Sequence, residues 1–227
     1  MAGILGIITT RGGARGIHNT YTRNLANQPV VAYSLKECEK SRHLQKSVLS
    51  TDAKEVSRAA ALYNVKVIIR PAGLAGEKTP FIEIVKHTLE EIKSAEGYEP
   101  GVVVLLPAEF PLRRALQIDE AIEKLEATGA DCVVSVSPAE QSPYEMVKLE
   151  GDKAVPFVED TGDRPEVYRL TGAIYALKPS LLEQGKLSGG DMRAVVMKQV
   201  DCVSVDTRPG FMRAEAILKD RKKDIFR

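Results

Sequence analysis

The residues of this sequence best equipped for chemistry come in short clusters, each set just after or within an apolar, strand-like run. The first is Arg11-Gly12-Gly13-Ala14-Arg15-Gly16, which follows Ile4–Thr9. Glycines there let backbone N–H groups approach an anion, and the two arginines add charge and forked donors. A Gly-Gly pair flanked by arginines also makes an ordinary solvated turn, so the cluster alone leaves both readings open. Further along stand Ser50-Thr51-Asp52, Arg70-Pro71, Pro111-Leu112-Arg113, the segment Arg169 to Tyr175 with Thr171 inside it, and Asp206-Thr207. Each has a bland alternative. Asp52 suits a helix N-cap, Arg70 a charged strand end, Arg113 and Arg169 structural ion pairs, Tyr175 core packing, and Asp206 a turn. Their shared position carries more weight, because ligands of open parallel sheets bind outside the carboxyl ends of the strands.

The elements that must position these clusters follow from periodicity. Ile4–Thr9 is apolar and β-branched and reads as the first buried strand. A helix is expected after Asn27, with Pro29 in its first turn and Val30, Val31, Ser34, Leu35 and Cys38 at helical spacing. Strands are expected at 46–50, 65–70, 102–106 and 131–137, the run Gly101 to Pro107 being the strongest central-strand signal. Between them, Asp52 with Glu55 forms a capping pattern for a helix through Tyr63. Ile82, Val85, Leu89 and Ile92 mark a second apolar helix face, and Ile118, Ala121, Ile122 and Leu125 a third.

Strand and helix alternate throughout, which predicts an α/β fold with a mostly parallel central sheet flanked by helices and right-handed crossovers. From Pro138 the rhythm changes. Short segments at 146–149 and 155–158, joined by Gly-Asp turns, suggest a hairpin-like insertion before a return to the sheet at 170–177. A last strand is expected at 200–205 and a charged helix at 211–224.

With 227 residues, 44% hydrophobic and 28% charged, the chain is long enough for one buried core, and a single domain over 1–227 with a β insertion at 138–169 is expected. A net charge of +1, from 32 basic and 31 acidic residues, provides no global field for nucleic acid or an anionic membrane. The longest apolar runs are strand-sized and the N-terminus has no secretory pattern, so a soluble, cytoplasmic protein is expected. Cys38, Cys132 and Cys202 are too few and too far apart for a disulfide framework or a zinc site, and His18, His43 and His87 suggest no triad.

Taken in order, the clusters resemble the acylneuraminate cytidylyltransferases, the CMP-sialic acid synthetase family, over nearly the whole chain. The resemblance implies a Rossmann-like, GT-A-like nucleotidyltransferase fold. It implies attack of a sugar acid's anomeric hydroxyl on the α-phosphate of CTP with release of pyrophosphate, aided by Mg²⁺. By position, Arg11 and Asp206 would be catalytic, and Gly12, Gly13, Arg15, Ser50, Asp52 and Arg70 would bind the nucleotide. Arg113, Arg169, Thr171 and Tyr175 would bind the sugar acid. Asp206 would hold the metal, with Glu109 as a relocated second ligand, and the 138–169 insertion resembles the family's homodimerisation element.

The sequence also departs from the family pattern. Thr20 and Tyr21 replace a Lys-Asn pair, Gln28 replaces a lysine, and Pro107-Ala108-Glu109-Phe110 replaces Gln-Pro-Thr-Ser. Thr171 stands for the sugar-facing asparagine and Ser204 for the first of two metal aspartates. Placed two apart on one strand, Ser204 and Asp206 would share a face. Fewer lysines and a new carboxylate make the pocket less attractive to a polyanion, with Arg15, Arg23 and Arg114 available to compensate. A non-catalytic homologue that keeps the fold for binding or assembly, and a nucleotidyltransferase of altered specificity, are therefore the alternative readings.

Overall fold

The computed structural model describes residues 3–10, 19–76, 78–159 and 162–224. The cluster Arg11, Gly12, Gly13 and Arg15, with His18, lies outside the described residues. The first strand, β1 (Ile4–Thr9), is buried along its whole length. A two-residue ribbon follows, β2 (Asn24–Leu25) against β3 (Gln28–Pro29), turning through Ala26 and Asn27 at φ 45 and 83. Two positive φ angles define the turn that matches the twist of a hairpin. Pro29 therefore ends the ribbon as the residue before α1 (Val30–Lys40) rather than standing within that helix's first turn.

Next come β4 (Lys46–Thr51), α2 (Lys54–Ala60), β5 (Lys66–Ile69), α3 (Phe81–Glu96), β6 (Val102–Pro107), α4 (Ala115–Thr128) and β7 (Cys132–Pro138). The hairpin β8 (Val147–Glu150) with β9 (Lys153–Pro156) forms its own small sheet. The chain then returns through β10 (Tyr168–Leu177), α5 (Pro179–Glu183), β11 (Met192–Val196) and α6 (Arg208–Asp224).

The main sheet has seven strands in the order β11-β7-β10-β6-β1-β4-β5. All neighbours are parallel except β10, which runs antiparallel between β6 and β7. Strand side chains alternate between two cores, as the period of two requires. Ile4, Ile8, Val104 and Leu106 face α1, α2, α4 and α6, whereas Leu5, Ile7, Val103 and Leu105 face α3 and α5. Helices thus cover both faces of the sheet, as the strand-helix alternation predicts.

The sequence-based expectation fails at the last strand. Residues 200–205 form no strand; Gln199–Cys202 is a 3₁₀ turn, and β11 instead pairs with β7. Buried Asp201 explains the turn: its carboxylate accepts from Gln117 Nε2 at 2.8 Å and pairs with Arg221, tying the segment to α4 and α6. Ser204 and Asp206 accordingly do not share a strand face. Asp52 does not cap α2 either, since the residue flanking that helix is Ala53.

Helix α6 is docked by backbone contact. The Thr207 hydroxyl accepts from Gly210 N at 3.2 Å, and a Cβ on Gly210 would lie 2.1 Å from the Ser204 carbonyl oxygen. Gly210→Ala is therefore expected to cost about 1–3 kcal/mol by overpacking, read as a lowered denaturant midpoint with an unchanged slope.

Candidate active site

Because β10 runs against its neighbours, its first residues join the carboxyl ends of β1, β4, β6 and β7 on one rim of the sheet. Two buried arginines organise that rim. Arg70, just past β5, reaches across the sheet: Nη1 donates to Ser50 O at 2.8 Å, and Nη2 donates to Thr10 O at 2.5 Å and to Asp52 Oδ1 at 2.8 Å. Ser50, Asp52 and Arg70, separated in sequence, thereby become one cluster at the ends of β1 and β4. The arginine is 4% exposed, so its charge is neutralised within the protein by Asp52 rather than offered at a strand end.

Arg113 performs the corresponding task on the other side. Its Nη1 donates to Pro107 O at 3.1 Å and Ala173 O at 2.7 Å, and its Nη2 to Ser34 Oγ at 2.8 Å. The guanidinium thus joins β6, β10 and α1, and all three acceptors are uncharged. Burial lowers its pKa to about 10, opposed by Cys38, Glu109 and Glu37.

Between these two anchors, β10 departs from regular pairing. Leu170 opposes Val136 and Tyr175 opposes Val134, so five steps along β10 match two along β7. The bulge is held by hydroxyls: Ser135 Oγ lies 2.6 Å from Thr171 Oγ1 and accepts from Ile174 N at 2.8 Å. Thr171 Oγ1 in turn accepts from Ala173 N at 3.2 Å. Gly172, at φ 79, makes the reversal without strain, and the space where its Cβ would project is bordered by the Phe110 ring and the Tyr175 hydroxyl.

Beyond the bulge a cavity of about 390 Å³ is lined by Phe110, Arg169, Thr171, Ser204, Gly210 and Arg213, among others. Arg169 is exposed on its wall, whereas Tyr175 is half-buried with its pKa raised by burial and by the charge of Glu109. Val205 N donates to Glu109 O at 2.9 Å, which sets the half-buried Glu109 and Asp206 on adjacent stretches of chain. Among the described residues no three His, Cys, Asp or Glu side chains converge on a metal position. Tyr21 is 4% exposed and packs in the core beside Leu25.

The rim therefore gathers Ser50, Asp52 and Arg70 at one end, and Glu109, Arg113, Arg169, Thr171, Tyr175 and Asp206 at the other. Glu140, Gln199 and Arg213 also line the cavity. Sequence reading missed them, because they come from an irregular segment, a 3₁₀ turn and a helix that only the tertiary fold brings together.

A family model described as "Cytidylyltransferase" matches residues 5–180, and the chain belongs to that family. Among curated relatives, "CMP-N,N'-diacetyllegionaminic acid synthase" of Campylobacter jejuni is 28% identical over 227 residues, covering 96% of each chain. "Post-translational flagellin modification protein B" of Campylobacter coli is 25% identical, covering 97% of each chain. "N-acylneuraminate cytidylyltransferase" of Escherichia coli is 25% identical across 97% of this chain and 53% of its own length.

Among solved structures, "CMP:2-keto-3-deoxy-manno-octonic acid synthetase complexed with CTP" superposes with a TM-score of 0.75 at 12% identity, covering 97% of this chain and 100% of that one. The 4-diphosphocytidyl-2C-methyl-D-erythritol synthase of Anaerococcus prevotii gives 0.71 at 14% identity, over 96% and 99%. These structural likenesses show a shared fold. No helix among the described residues is long and apolar enough to cross a membrane.

Burial makes a pH response legible. Cys38 is pushed up to about 12 and Cys202 to about 11 from an ordinary 9.0, both by desolvation. The folded chain then keeps protons that the unfolded chain releases, so stability should fall as pH rises above about 9. Arg113, shifted the other way, offsets part of that loss only above about pH 10. Urea midpoints measured from pH 7 to 11 check the slope, and Cys38→Ala should flatten it.

Proposed function

We propose that the protein transfers CMP from CTP to a nonulosonic or related sugar acid, releasing pyrophosphate. The observation that carries this reading is the cavity beside Thr171, whose wall presents the cations Arg169 and Arg213 at the sheet rim of a chain of the cytidylyltransferase family. The activities named for the relatives, which match nearly the full chain, support the same substrate class.

In this reading the Ser50, Asp52 and Arg70 cluster frames the cytidine, with Arg70 shaping the floor through the backbone it holds. Arg11, Gly12, Gly13 and Arg15 cradle the triphosphate with backbone amides and guanidinium groups. Arg169 pairs with the sugar's carboxylate, Thr171 and Tyr175 line the sugar's side, and Arg113 holds the bulge on which they stand. The anomeric oxygen forms a bond to the α-phosphorus as the bond from that phosphorus to the bridging oxygen breaks. Pyrophosphate leaves with that electron pair, and the hydroxyl proton passes to solvent. Positioning and charge stabilisation supply the catalysis, without a covalent nucleophile.

Glu109 and Asp206 stand on stretches of chain joined by the Val205 N to Glu109 O hydrogen bond, and their carboxylates would be the ligands for Mg²⁺, which keeps water and phosphate ligands rather than an all-protein cage. Bound there with the nucleotide, the ion would neutralise and orient the triphosphate. Incubation with CTP, Mg²⁺ and a panel of nonulosonic acids should release pyrophosphate, with other nucleoside triphosphates giving far less. A folded protein that binds CTP yet is silent across the panel would instead be a binding homologue.

The β8–β9 hairpin supports a homodimer. Val147 and Leu149 on β8 are exposed, as are Phe157 beyond β9 and Tyr168 and Leu170 at the start of β10. Apolar side chains grouped on one insertion suit burial against a second copy. Light scattering should give twice the chain mass, and Leu149→Glu with Phe157→Glu should give a monomer. A wild-type monomer would remove this part of the reading.

A further inference from the structure

The mouth of the cavity beside Thr171 carries an ion pair at positions the family resemblance does not assign. Arg213 Nη2 lies 3.8 Å from Glu140 Oε1, and both residues line the same cavity as Arg169. Glu140 comes from the segment after β7 and Arg213 from α6, so the pair links two elements across the opening. Gln199 Nε2 donates to Pro138 O at 3.4 Å, two residues before Glu140. The close approach of Gly210 to Ser204 and its hydrogen bond to Thr207 orient the first turn of α6, so that Arg213, three residues on, emerges on the cavity side.

The pair itself is weak. Both side chains are about half exposed, at 53% and 51%, and such contacts contribute roughly 0–1 kcal/mol. A ligand carboxylate presenting two oxygens to the planar guanidinium makes a stronger, charge-assisted bond than this long contact. Glu140 can therefore be displaced by an acid, whereas a neutral sugar offers Arg213 nothing better.

Building on the sugar-acid reading above, we infer that Arg213 is a second cation for the substrate's carboxylate and that Glu140 occupies it until the acid arrives. The pair then sets selectivity for an acid over its neutral counterpart. Glu140 opposes binding through Arg213 alone, and the two residues share one thermodynamic effect.

Calorimetric titration of the full chain with N-acetylneuraminic acid, N,N'-diacetyllegionaminic acid and their methyl esters tests this, alongside pyrophosphate release from CTP. Arg213→Gln should weaken binding of the acid about tenfold and leave the ester unchanged. Glu140→Gln should tighten the acid about threefold, and the double variant should match Arg213→Gln. Equal acid affinity in wild type and Arg213→Gln, additive effects in the double variant, or no binding of either acid would overturn the inference. Acid binding that depends on Arg213 without any pyrophosphate release would instead sink the transferase reading while leaving the ion pair's role intact. Turnover with an unaltered KM for the acid in Arg213→Gln would sink only the latter.

Discussion

The structure depends on a buried guanidinium. Arg113 satisfies the ends of β6 and β10 and a serine of α1 at once, and these three acceptors are uncharged. A cation removed from water without a carboxylate beside it is costly. It is tolerated here because carbonyl dipoles accept its protons and because Glu109 and Glu37 lie near enough to favour the charge. The result is a rigid corner where the one antiparallel strand enters a parallel sheet. Everything that lines the cavity beside Thr171 from β10 hangs from that corner.

Arg70 gives the opposite half of the rim a similar solution with a different balance. It carries a carboxylate partner, Asp52, and spans two strand ends through their carbonyls. Two arginines that a sequence reader would assign to ligands thus act first on the protein's own backbone. Their direct effect is shape: one fixes the floor near Ser50 and the other the bulge at Thr171. The cations on the wall of the cavity beside Thr171 are Arg169 and Arg213.

The residues expected from the sequence to depart from the family pattern have structural roles of their own. Tyr21 lies in the core with Leu25 and Val30. Thr171 is short enough to turn back onto Ser135 and Ala173, so its hydroxyl stabilises the bulge. Phe110 lines the cavity with an apolar ring, and the backbone of Glu109, its neighbour, accepts from Val205 N beside Asp206.

What the sequence by itself determined is whatever local pattern can encode. Alternating apolar strands buried on both faces, helices with one apolar stripe, and the order of the clusters along the chain were enough for the architecture and the family. Element existence followed from period, and the rim position of the clusters followed from strand ends. Only the tertiary structure decided which strand reverses, that β11 rather than residues 200–205 completes the sheet, that Asp52 meets Arg70 instead of capping α2, and that Glu140 meets Arg213. The reason is the same in each case. A strand's neighbours and a charged side chain's partner are set by contacts between residues far apart in the chain, and no periodicity within either segment carries that information.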